Sequence, residues 1–260
     1  MVALPYYLSR NEGKSVQLLH LTINVKIMNI IITGASKGIG KAIADRFAAD
    51  GNTIVACARN EVDLYKMMEE LQTKYPTCLV RARKVDMSSI AEVKEFGKWI
   101  LDHNLVPDVL VNNAGHFYPG SVYSEEEGVL EKTIEVNLYS AYYLTRALLP
   151  AMMAAKRGHI FNMCSIASLQ AYANGGAYSI SKFALLGFSK NLREEMKPHG
   201  IKVTAVCPGA TMSASWDGAD IDPNRIMEAA DIAEMVYAAS KLSPMAVVED
   251  IILRPQLGDL

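Results

Sequence analysis

The sequence has few cysteines, and their arrangement does not predict a cross-link. Four cysteines occur in 260 residues, and none stands in a C-x-x-C pair. Small secreted domains that depend on disulfides are much richer in cysteine, and thiolate zinc sites need closely spaced pairs. The sequence therefore argues against both kinds of site and favours a reducing compartment, the cytoplasm.

An excess of charge of one sign is also absent. The chain carries 26 Lys and Arg against 28 Asp and Glu, with a formal net charge of −2. This balance gives no electrostatic reason to bind nucleic acid. No uncharged apolar run reaches the ~18 residues of a membrane span, and the histidines show no metal-ligand spacing. We expect no nucleic-acid, membrane or metal partner.

The N-terminal stretch lacks the features of a signal peptide. It has no basic start followed by a long apolar middle and a small-residue cleavage site. Met28 stands directly before a clean apolar strand. We interpret residues 1–27 as a loose N-terminal extension, with an upstream translation start as one explanation, and residues 28–260 as one folded domain.

From Asn29 onward, apolar β-type runs alternate with stretches of helical periodicity. The predicted strands are Asn29–Thr33, Thr53–Ala58, Thr77–Lys84, Asp108–Val111, His159–Met163, Lys202–Val206 and Val247–Leu253. Two S-x-x-E runs, Ser89–Glu92 and Ser124–Glu127, predict helix starts with a capping box. Repeated strand–helix alternation without a dividing linker predicts a single-domain α/β fold. Its doubly wound parallel sheet has about seven strands, with helices on both faces.

A glycine-rich loop follows the first strand and opens the first helix. Residues 33–40 read TGASKGIG. Glycines let the backbone turn tightly and approach a pyrophosphate, which binds at the positive N-terminus of the helix. The loop predicts a dinucleotide site made by Gly34, Ser36, Lys37, Gly38, Ile39 and Gly40.

The end of the second strand indicates which dinucleotide binds. An acidic residue there would bind the ribose 2′-OH of NAD, but the sequence reads Ala58-Arg59-Asn60. Arg59 and Lys37 instead supply two cations and no carboxylate, a combination that suits a 2′-phosphate. The predicted cofactor is NADP(H). The alternative is that both cations are solvated surface residues.

Several linked motifs resemble those of the short-chain dehydrogenases/reductases, over Asn29 to about Leu253. The motifs are the glycine loop, Asn112-Asn113-Ala114-Gly115, Asn137, Ser165, Tyr178-Ser-Ile-Ser-Lys182 and Pro208-Gly209. The resemblance implies a Rossmann-type domain with an active site of Asn137, Ser165, Tyr178 and Lys182. It also implies cofactor contacts from Asp86, Asn113, Ala114, Gly115, Tyr178, Lys182, Pro208, Gly209 and Thr211.

The chemistry of these residues supports the same assignment. Tyr178 and Lys182 are four residues apart and share a helix face. The Lys182 ammonium, together with the positive nicotinamide ring of the oxidised cofactor, would stabilise the phenolate. At ~4 Å and an effective dielectric of ~20, the attraction is about 4 kcal/mol before offsets. That corresponds to a pKa lowered by roughly three units from its usual value of about 10. Tyr178 is then the general acid that protonates a carbonyl as NADPH delivers hydride, while Ser165 hydrogen-bonds the oxygen and Asn137 holds a water that relays protons to Lys182.

The substrate prediction depends on the loop of residues 210–230, which we expect to cover the nicotinamide and which we call the covering loop. Residues 210–230 contain Trp216 and Asp217, and Phe117 follows the Asn112–Gly115 motif. Two aromatic rings can sandwich a flat ligand, Asp217 can pair with an amino-bearing ring edge, and Ser165 can hold the carbonyl. We expect a compact, planar or aromatic ketone or diketone, including a pterin side chain. The alternative is that Trp216 anchors the loop and Phe117 packs beneath it.

The C-terminal strand favours one group of reductases. It lacks the glycine-rich ending common in ketoacyl carrier-protein reductases, and with the short covering loop it resembles sepiapterin-reductase-type carbonyl reductases. A 3-oxoacyl carrier-protein reductase and a secondary-alcohol dehydrogenase are the alternatives among enzymes. A non-catalytic NADP(H)-binding scaffold or sensor is the alternative of another class. Intact Ser165, Tyr178 and Lys182 speak against it, because sensing needs only the glycine loop.

Assembly is predicted from the helix that follows Asn137. Residues 138–155 contain Arg146 as their only charge. A helix that is apolar on most sides needs a partner besides its own sheet. Together with the family resemblance, this predicts a homo-oligomer, a tetramer or a dimer.

Overall fold

The computed structural model describes residues 27–213 and 222–259. Residues 1–26, Trp216 and Asp217 lie outside the described residues. The described strands are β1 (Asn29–Thr33), β2 (Thr53–Ala58), β3 (Val80–Lys84), β4 (Val109–Asn112), β5 (Gly158–Met163), β6 (Ile201–Pro208) and β7 (Asp250–Leu253). The described α-helices are α1 (Gly38–Ala48), α2 (Glu61–Lys74), α3 (Ile90–Asp102), α4 (Val129–Ile134), α5 (Ser140–Ala155), α6 (Gly176–Met196) and α7 (Ala229–Ser240).

The strands form one parallel sheet whose order places a switch point in its middle. The order is β3-β2-β1-β4-β5-β6-β7, so β1 pairs with β2 on one side and with β4 on the other. In sheets of this type, ligands bind in the crevice beyond the carboxyl ends of the strands, where the order reverses. A ligand site is therefore expected at the residues that follow β1 and β4. The predicted seven-stranded α/β fold is confirmed.

The two faces of the sheet bury separate apolar layers because successive side chains of a strand point to opposite faces. In β1, Ile30 and Ile32 pack in one layer with Phe47 of α1 and Val236 of α7. Ile31 packs in the other layer, which includes side chains from α3 and α5. One layer packs on each face of β1, so the position of the strand is fixed where the loop after it begins. None of the helices in the described ranges is long and apolar enough to cross a membrane.

One of the two predicted helix starts is correct. Ser89 caps α3, and its hydroxyl accepts the N–H of Glu92 at 3.3 Å. The second start, at Ser124, is wrong: α4 begins at Val129, after Gly128 in the left-handed region with φ of 85°. The backbone N–H of Ser124 donates to the carbonyl of Ser121 at 2.8 Å, which closes a turn instead of opening a helix.

Candidate active site

The glycine loop after β1 has no room for larger side chains. Gly34 has φ of +64°, which favours glycine, and a Cβ added at Gly40 would overlap the Gly34 carbonyl oxygen. The loop then opens α1 at Gly38. A backbone held this closely, followed by a helix N-terminus, is a cradle that fits the pyrophosphate of a dinucleotide.

The residues after β4 hold this loop in place. The side-chain amide of Asn113 donates to the carbonyls of Thr33 at 2.9 Å and Gly34 at 3.0 Å. In return, the Thr33 hydroxyl accepts the N–H groups of Asn113 at 3.0 Å and Ala114 at 2.9 Å. Four hydrogen bonds thus tie the predicted Asn112–Gly115 motif to the glycine loop across the switch point.

The two predicted cations have acidic neighbours. Lys37 Nζ lies 2.9 Å from Asp63 Oδ2, so the expectation of two cations without a carboxylate is wrong. Asp63 lies in the first turn of α2, where the Asn60 side chain accepts its backbone N–H. The end of β2 carries no acidic residue, but the first turn of the helix that follows brings Asp63 back to the glycine loop.

Asp86 lies near the second cation, Arg59. Its Oδ1 accepts the N–H of Ser88 at 2.9 Å and the Ser88 hydroxyl at 2.8 Å. The pKa of Asp86 lies below its ordinary value. The largest cause is the hydrogen bond from the Ser88 backbone N–H, followed by the Ser88 hydroxyl and the charge of Arg59. Asp86 therefore remains a carboxylate at neutral pH beside an exposed guanidinium.

Ser165 and Tyr178 come together at the carboxyl end of β5. Ser165 starts the turn that follows the strand, and its hydroxyl accepts the N–H of Ala167 at 3.1 Å. Tyr178 lies in the first turn of α6, and its hydroxyl interacts with the Ser165 side chain. A serine hydroxyl and a phenol that face one space can both reach a single carbonyl oxygen.

Lys182 is buried beneath the tyrosine. Its side chain is 5% exposed, and its Nζ donates to the carbonyl of Met163 at 2.7 Å and lies 5.6 Å from the Tyr178 ring centre. Burial lowers the pKa of Lys182 and raises that of Tyr178. In the protein without cofactor, loss of hydration therefore outweighs the Ser165 hydrogen bond, which lowers the Tyr178 pKa. The lowering expected from Lys182 together with the oxidised nicotinamide stays a prediction.

Asn137 lies at a π-helical turn, residues 135–139, that precedes α5. Its Oδ1 accepts the N–H of His116 at 2.7 Å, and its amide donates to the His116 carbonyl at 3.0 Å and the Ser181 hydroxyl at 2.9 Å. Asn137 thus fixes the peptide that follows Gly115. A Cβ at Gly115 would lie 3.2 Å from Asn137 Oδ1 and 3.5 Å from Lys182 Nζ. The relay role of Asn137 stays a prediction.

One pocket of about 470 Å³ joins the glycine loop to Ser165 and Tyr178. The predicted site residues on its wall are Gly34, Lys37, Gly38, Ile39, Asn113, Ala114, Gly115, Phe117, Ser165, Tyr178, Lys182, Pro208, Gly209 and Thr211. Five other predicted residues are not on this wall, namely Ser36, Gly40, Arg59, Asp86 and Asn137. Trp216 and Asp217 lie outside the described residues, so the predicted aromatic sandwich is represented by Phe117 alone. The Phe117 ring meets the Tyr178 ring edge-on at 4.9 Å.

Asp259 is a wall residue that the sequence reasoning missed. Its Oδ2 pairs with Arg254, while its Oδ1 is buried and has no hydrogen-bond partner among the described residues. A buried carboxylate oxygen without a donor is costly, so it is suited to a ligand N–H or O–H. Asp259 follows β7 and belongs to none of the motifs, so no local signal marked it. Gln170 and Tyr172 were missed for the same reason and also line the pocket.

Comparison with known proteins defines the class. Residues 28–222 match the short chain dehydrogenase family. The chain is 33% identical over 239 residues to the sepiapterin reductase of Chlorobaculum tepidum, covering 89% of this chain and 97% of that protein. The chain therefore belongs to the short-chain dehydrogenases, a family of oxidoreductases, as its motifs predicted.

Solved structures of other members share the whole fold. The alcohol dehydrogenase of the archaeon Thermococcus sibiricus, complexed with 5-hydroxy-NADP, superposes with a TM-score of 0.82 at 29% identity, over 89% of this chain and 97% of that one. The L-sorbose reductase of Gluconobacter frateurii, complexed with NADPH and L-sorbose, gives 0.81 at 26% identity, over 88% and 96%. Both neighbours were captured with a phosphorylated nicotinamide dinucleotide.

Proposed function

We propose that the protein is an NADPH-dependent carbonyl reductase that reduces a small ketone or diketone. The observation that carries the proposal is the single pocket in which the glycine cradle, Ser165 and Tyr178 meet. The glycine cradle would hold the pyrophosphate of a dinucleotide, and the same pocket leads from the cradle to Tyr178. The bound nicotinamide would supply the hydride.

The residues of this chain would handle the proton and the charge on the substrate oxygen. Tyr178, kept neutral by its raised pKa, donates a proton to the carbonyl oxygen. Ser165 hydrogen-bonds the same oxygen and stabilises the negative charge that develops on it. Lys182 is anchored to the Met163 carbonyl and places a donor beneath the tyrosine. Asn137 completes the site by fixing the backbone beside Gly115.

The cofactor proposal rests on charge on the glycine loop and at the end of β2. Lys37 on the loop and Arg59 after the strand are both exposed, and the end of β2 has no acidic residue. Arginine and lysine bind a 2′-phosphate through charge-assisted hydrogen bonds. Asp63 would release Lys37 to the phosphate or share it. The phosphorylated cofactors of the solved relatives agree with this choice.

The substrate proposal rests on three wall residues. Phe117 and Tyr172 offer ring surfaces, and Asp259 offers an unpaired carboxylate oxygen. This combination favours a compact carbonyl compound with a flat part and an N–H or amino edge, a description that includes the pterin side chain of the sepiapterin type. Asp259 can fill the role predicted for Asp217. A 3-oxoacyl carrier-protein reductase and a secondary-alcohol dehydrogenase remain the alternatives.

The test is a substrate panel that follows NADPH absorbance. Diacetyl, benzil, sepiapterin and acetoacetyl thioesters would be compared by kcat/KM, with the Tyr178→Phe variant as the blank. Preference for the diketones or sepiapterin supports the proposal, and preference for the thioester would assign the ketoacyl alternative. NADPH binding without turnover of any carbonyl compound or alcohol would favour the non-catalytic sensor.

We further propose a homo-oligomer built on helices α5 and α6. Tyr139 at the start of this region and Ile180 and Phe183 on α6 are each more than 40% exposed. Apolar side chains grouped on neighbouring elements favour contact with a second copy of the chain. Phe183→Glu is expected to shift the mass measured by light scattering to that of a monomer, whereas a wild-type monomer would contradict the proposal.

We also propose that the protein works in a reducing compartment such as the cytoplasm. Cys57, Cys78, Cys164 and Cys207 are all buried free thiols. Free thiols persist where glutathione and thioredoxin keep them reduced. Localisation by a fluorescent fusion would test the proposal, and secretion would contradict it.

A further inference from the structure

Glu125 reaches from the loop before α4 to the catalytic helix. Both of its carboxylate oxygens accept the backbone N–H of Ala177, Oε1 at 2.9 Å and Oε2 at 3.2 Å. Ala177 directly precedes Tyr178 and lies in the first turn of α6. A side chain 52 residues away in sequence therefore holds the backbone that carries the phenol.

Two glycines shape the space around this carboxylate. A Cβ at Gly176, which has φ of +33°, would overlap Glu125 Oε1. A Cβ at Gly120 would lie 2.7 Å from Glu125 Cγ. The carboxylate therefore occupies space that a side chain at either position would fill, and it reaches Ala177 because both positions are glycine. Glu125 is half-buried, whereas its neighbours Glu126 and Glu127 are exposed.

The same loop touches the catalytic region at two further places. The Ser121 hydroxyl donates to Asn174 Oδ1 at 2.9 Å, in the segment that leads into α6. At the other end of the loop, the Phe117 ring meets the Tyr178 ring edge-on at 4.9 Å. Phe117 of this loop thus contacts the Tyr178 ring directly. Glu125 of the same loop holds the backbone N–H of Ala177, the residue before Tyr178.

We propose that Glu125 is a positioning residue that sets the reach of the Tyr178 hydroxyl toward the substrate oxygen. The inference rests on the proposed role of Tyr178 as proton donor. Proton transfer is efficient only within hydrogen-bond reach of the reacting oxygen, and small misplacements of a reacting group lower the rate strongly. A clamp on the residue before Tyr178 controls that reach without touching substrate or cofactor.

Two substitutions separate the reach of Glu125 from its charge. Glu125→Gln keeps the length and one acceptor oxygen for Ala177 but removes the charge. Glu125→Asp keeps the charge but shortens the side chain by one methylene, so the carboxylate draws back from Ala177. Glu126→Gln and Glu127→Gln are matched controls because they remove the same charge from exposed positions in the same loop.

The experiment measures kcat and KM for benzil reduction, together with the NADPH Kd by fluorescence titration. We expect Glu125→Asp to lower kcat by about tenfold or more, Glu125→Gln to stay within about twofold because the hydrogen bond is kept, and the NADPH Kd to be unchanged in both. The two controls should match the wild type in all three constants.

Three results would overturn the inference. The first is a wild-type kcat for Glu125→Asp. The second is a kcat for Glu125→Gln that is as low as that of Glu125→Asp. The third is an equal loss of kcat in the exposed controls. If Glu125→Asp does not fold, Ser121→Ala loosens the same loop while keeping Glu125, and a wild-type kcat there would count against the inference. A fully active Tyr178→Phe variant would instead remove the proposed function itself.

Discussion

Two lysines on the wall of one pocket are held in opposite ways. Lys37, on the glycine loop, has a side chain that is 59% exposed and pairs with Asp63 at 2.9 Å. Lys182, beneath Tyr178, is 5% exposed and donates to a backbone carbonyl at 2.7 Å. The first lysine keeps its hydration and an acidic partner, whereas the second has lost nearly all of its water.

The difference supports the roles that we propose for the two lysines. At the glycine loop an exposed cation can exchange its carboxylate partner for a phosphate at little cost, which suits cofactor selection. Beneath Tyr178 burial lowers the pKa of Lys182 and raises that of the tyrosine. There the phenol stays protonated, which suits donation of a proton. A substitution in one part of the pocket can therefore be compared with the other part as its control.

The largest effect is expected from Tyr178→Phe. The substitution removes the proton donor and keeps the ring that meets Phe117, so kcat for carbonyl reduction should fall by about 10³-fold. The NADPH Kd should change by less than about twofold, because the glycine loop is untouched. Steady-state kinetics and fluorescence titration measure both. A variant that retains a tenth of wild-type turnover would contradict the assignment of Tyr178.

The second-largest effect is expected from a substitution at Arg59, in the proposed site for the 2′-phosphate of NADPH. Arg59→Ala should weaken NADPH binding by about tenfold or more, since a charge-assisted hydrogen bond contributes about 1.5–3 kcal/mol. NADH binding should stay unchanged, because NADH has no 2′-phosphate. Lys66→Ala, which removes an exposed cation on α2, is the matched control. Equal loss for both cofactors would show that Arg59 does not bind the 2′-phosphate.

We expect Asp259 to contribute to substrate selection, because its unpaired oxygen lies on the pocket wall. Asp259→Asn keeps the shape but replaces the unpaired oxygen with a weaker acceptor or a donor. We expect kcat/KM for sepiapterin, which carries an amino group, to fall by about tenfold, while diacetyl loses less than about twofold. Parallel kinetics on the two substrates measure the split. Equal losses would assign Asp259 to holding Arg254 instead of substrate.

The raised pKa of Tyr178 predicts opposite pH limits for the two directions. Reduction needs the protonated phenol, so its rate falls only as pH rises through the Tyr178 pKa, which burial places above its ordinary value of about 10. Oxidation of the alcohol needs the phenolate and slows as pH falls. The oxidised nicotinamide carries a positive charge that lowers the same pKa. We therefore expect flat reductive kcat from about pH 7 to about pH 9, and a reductive decline near neutrality would contradict the burial argument.

The smallest effect is expected from removing residues 1–27. β1 begins at Asn29, and the family match begins at residue 28. We propose that the shortened chain keeps both parts of the pocket, with kcat and NADPH Kd within about twofold of the full chain. Loss of soluble protein after truncation would show that the segment packs on the domain and that the predicted boundary is wrong.

Local patterns in the sequence predicted the part of the site that depends on the backbone. The glycine loop needs left-handed φ and close approach at particular positions, and only glycine meets both demands. The four-residue spacing of Tyr178 and Lys182 fixed their common helix face in the same way. Strand–helix alternation was enough to predict the sheet because the β-type runs are separated by stretches of helical periodicity.

Contacts between distant segments could not be predicted in this way. Asp63 reaches Lys37 only because α2 turns back toward the glycine loop. Glu125 lies within a run that resembles a capping box, yet it binds Ala177 on another element. The burial that raises the Tyr178 pKa in the protein without cofactor could not be estimated from the spacing of two residues. Each of these outcomes depends on tertiary packing, which overrides a local signal.

The most direct test of the central claim follows the hydride itself. NADPH that carries deuterium at the transferable position of its nicotinamide ring would be mixed with wild-type protein and benzil, and the product would be examined by mass spectrometry. The account predicts one deuterium on the carbinol carbon of the product, and about 10³-fold slower formation of that product with Tyr178→Phe. An alcohol product without deuterium would contradict direct hydride transfer in this pocket.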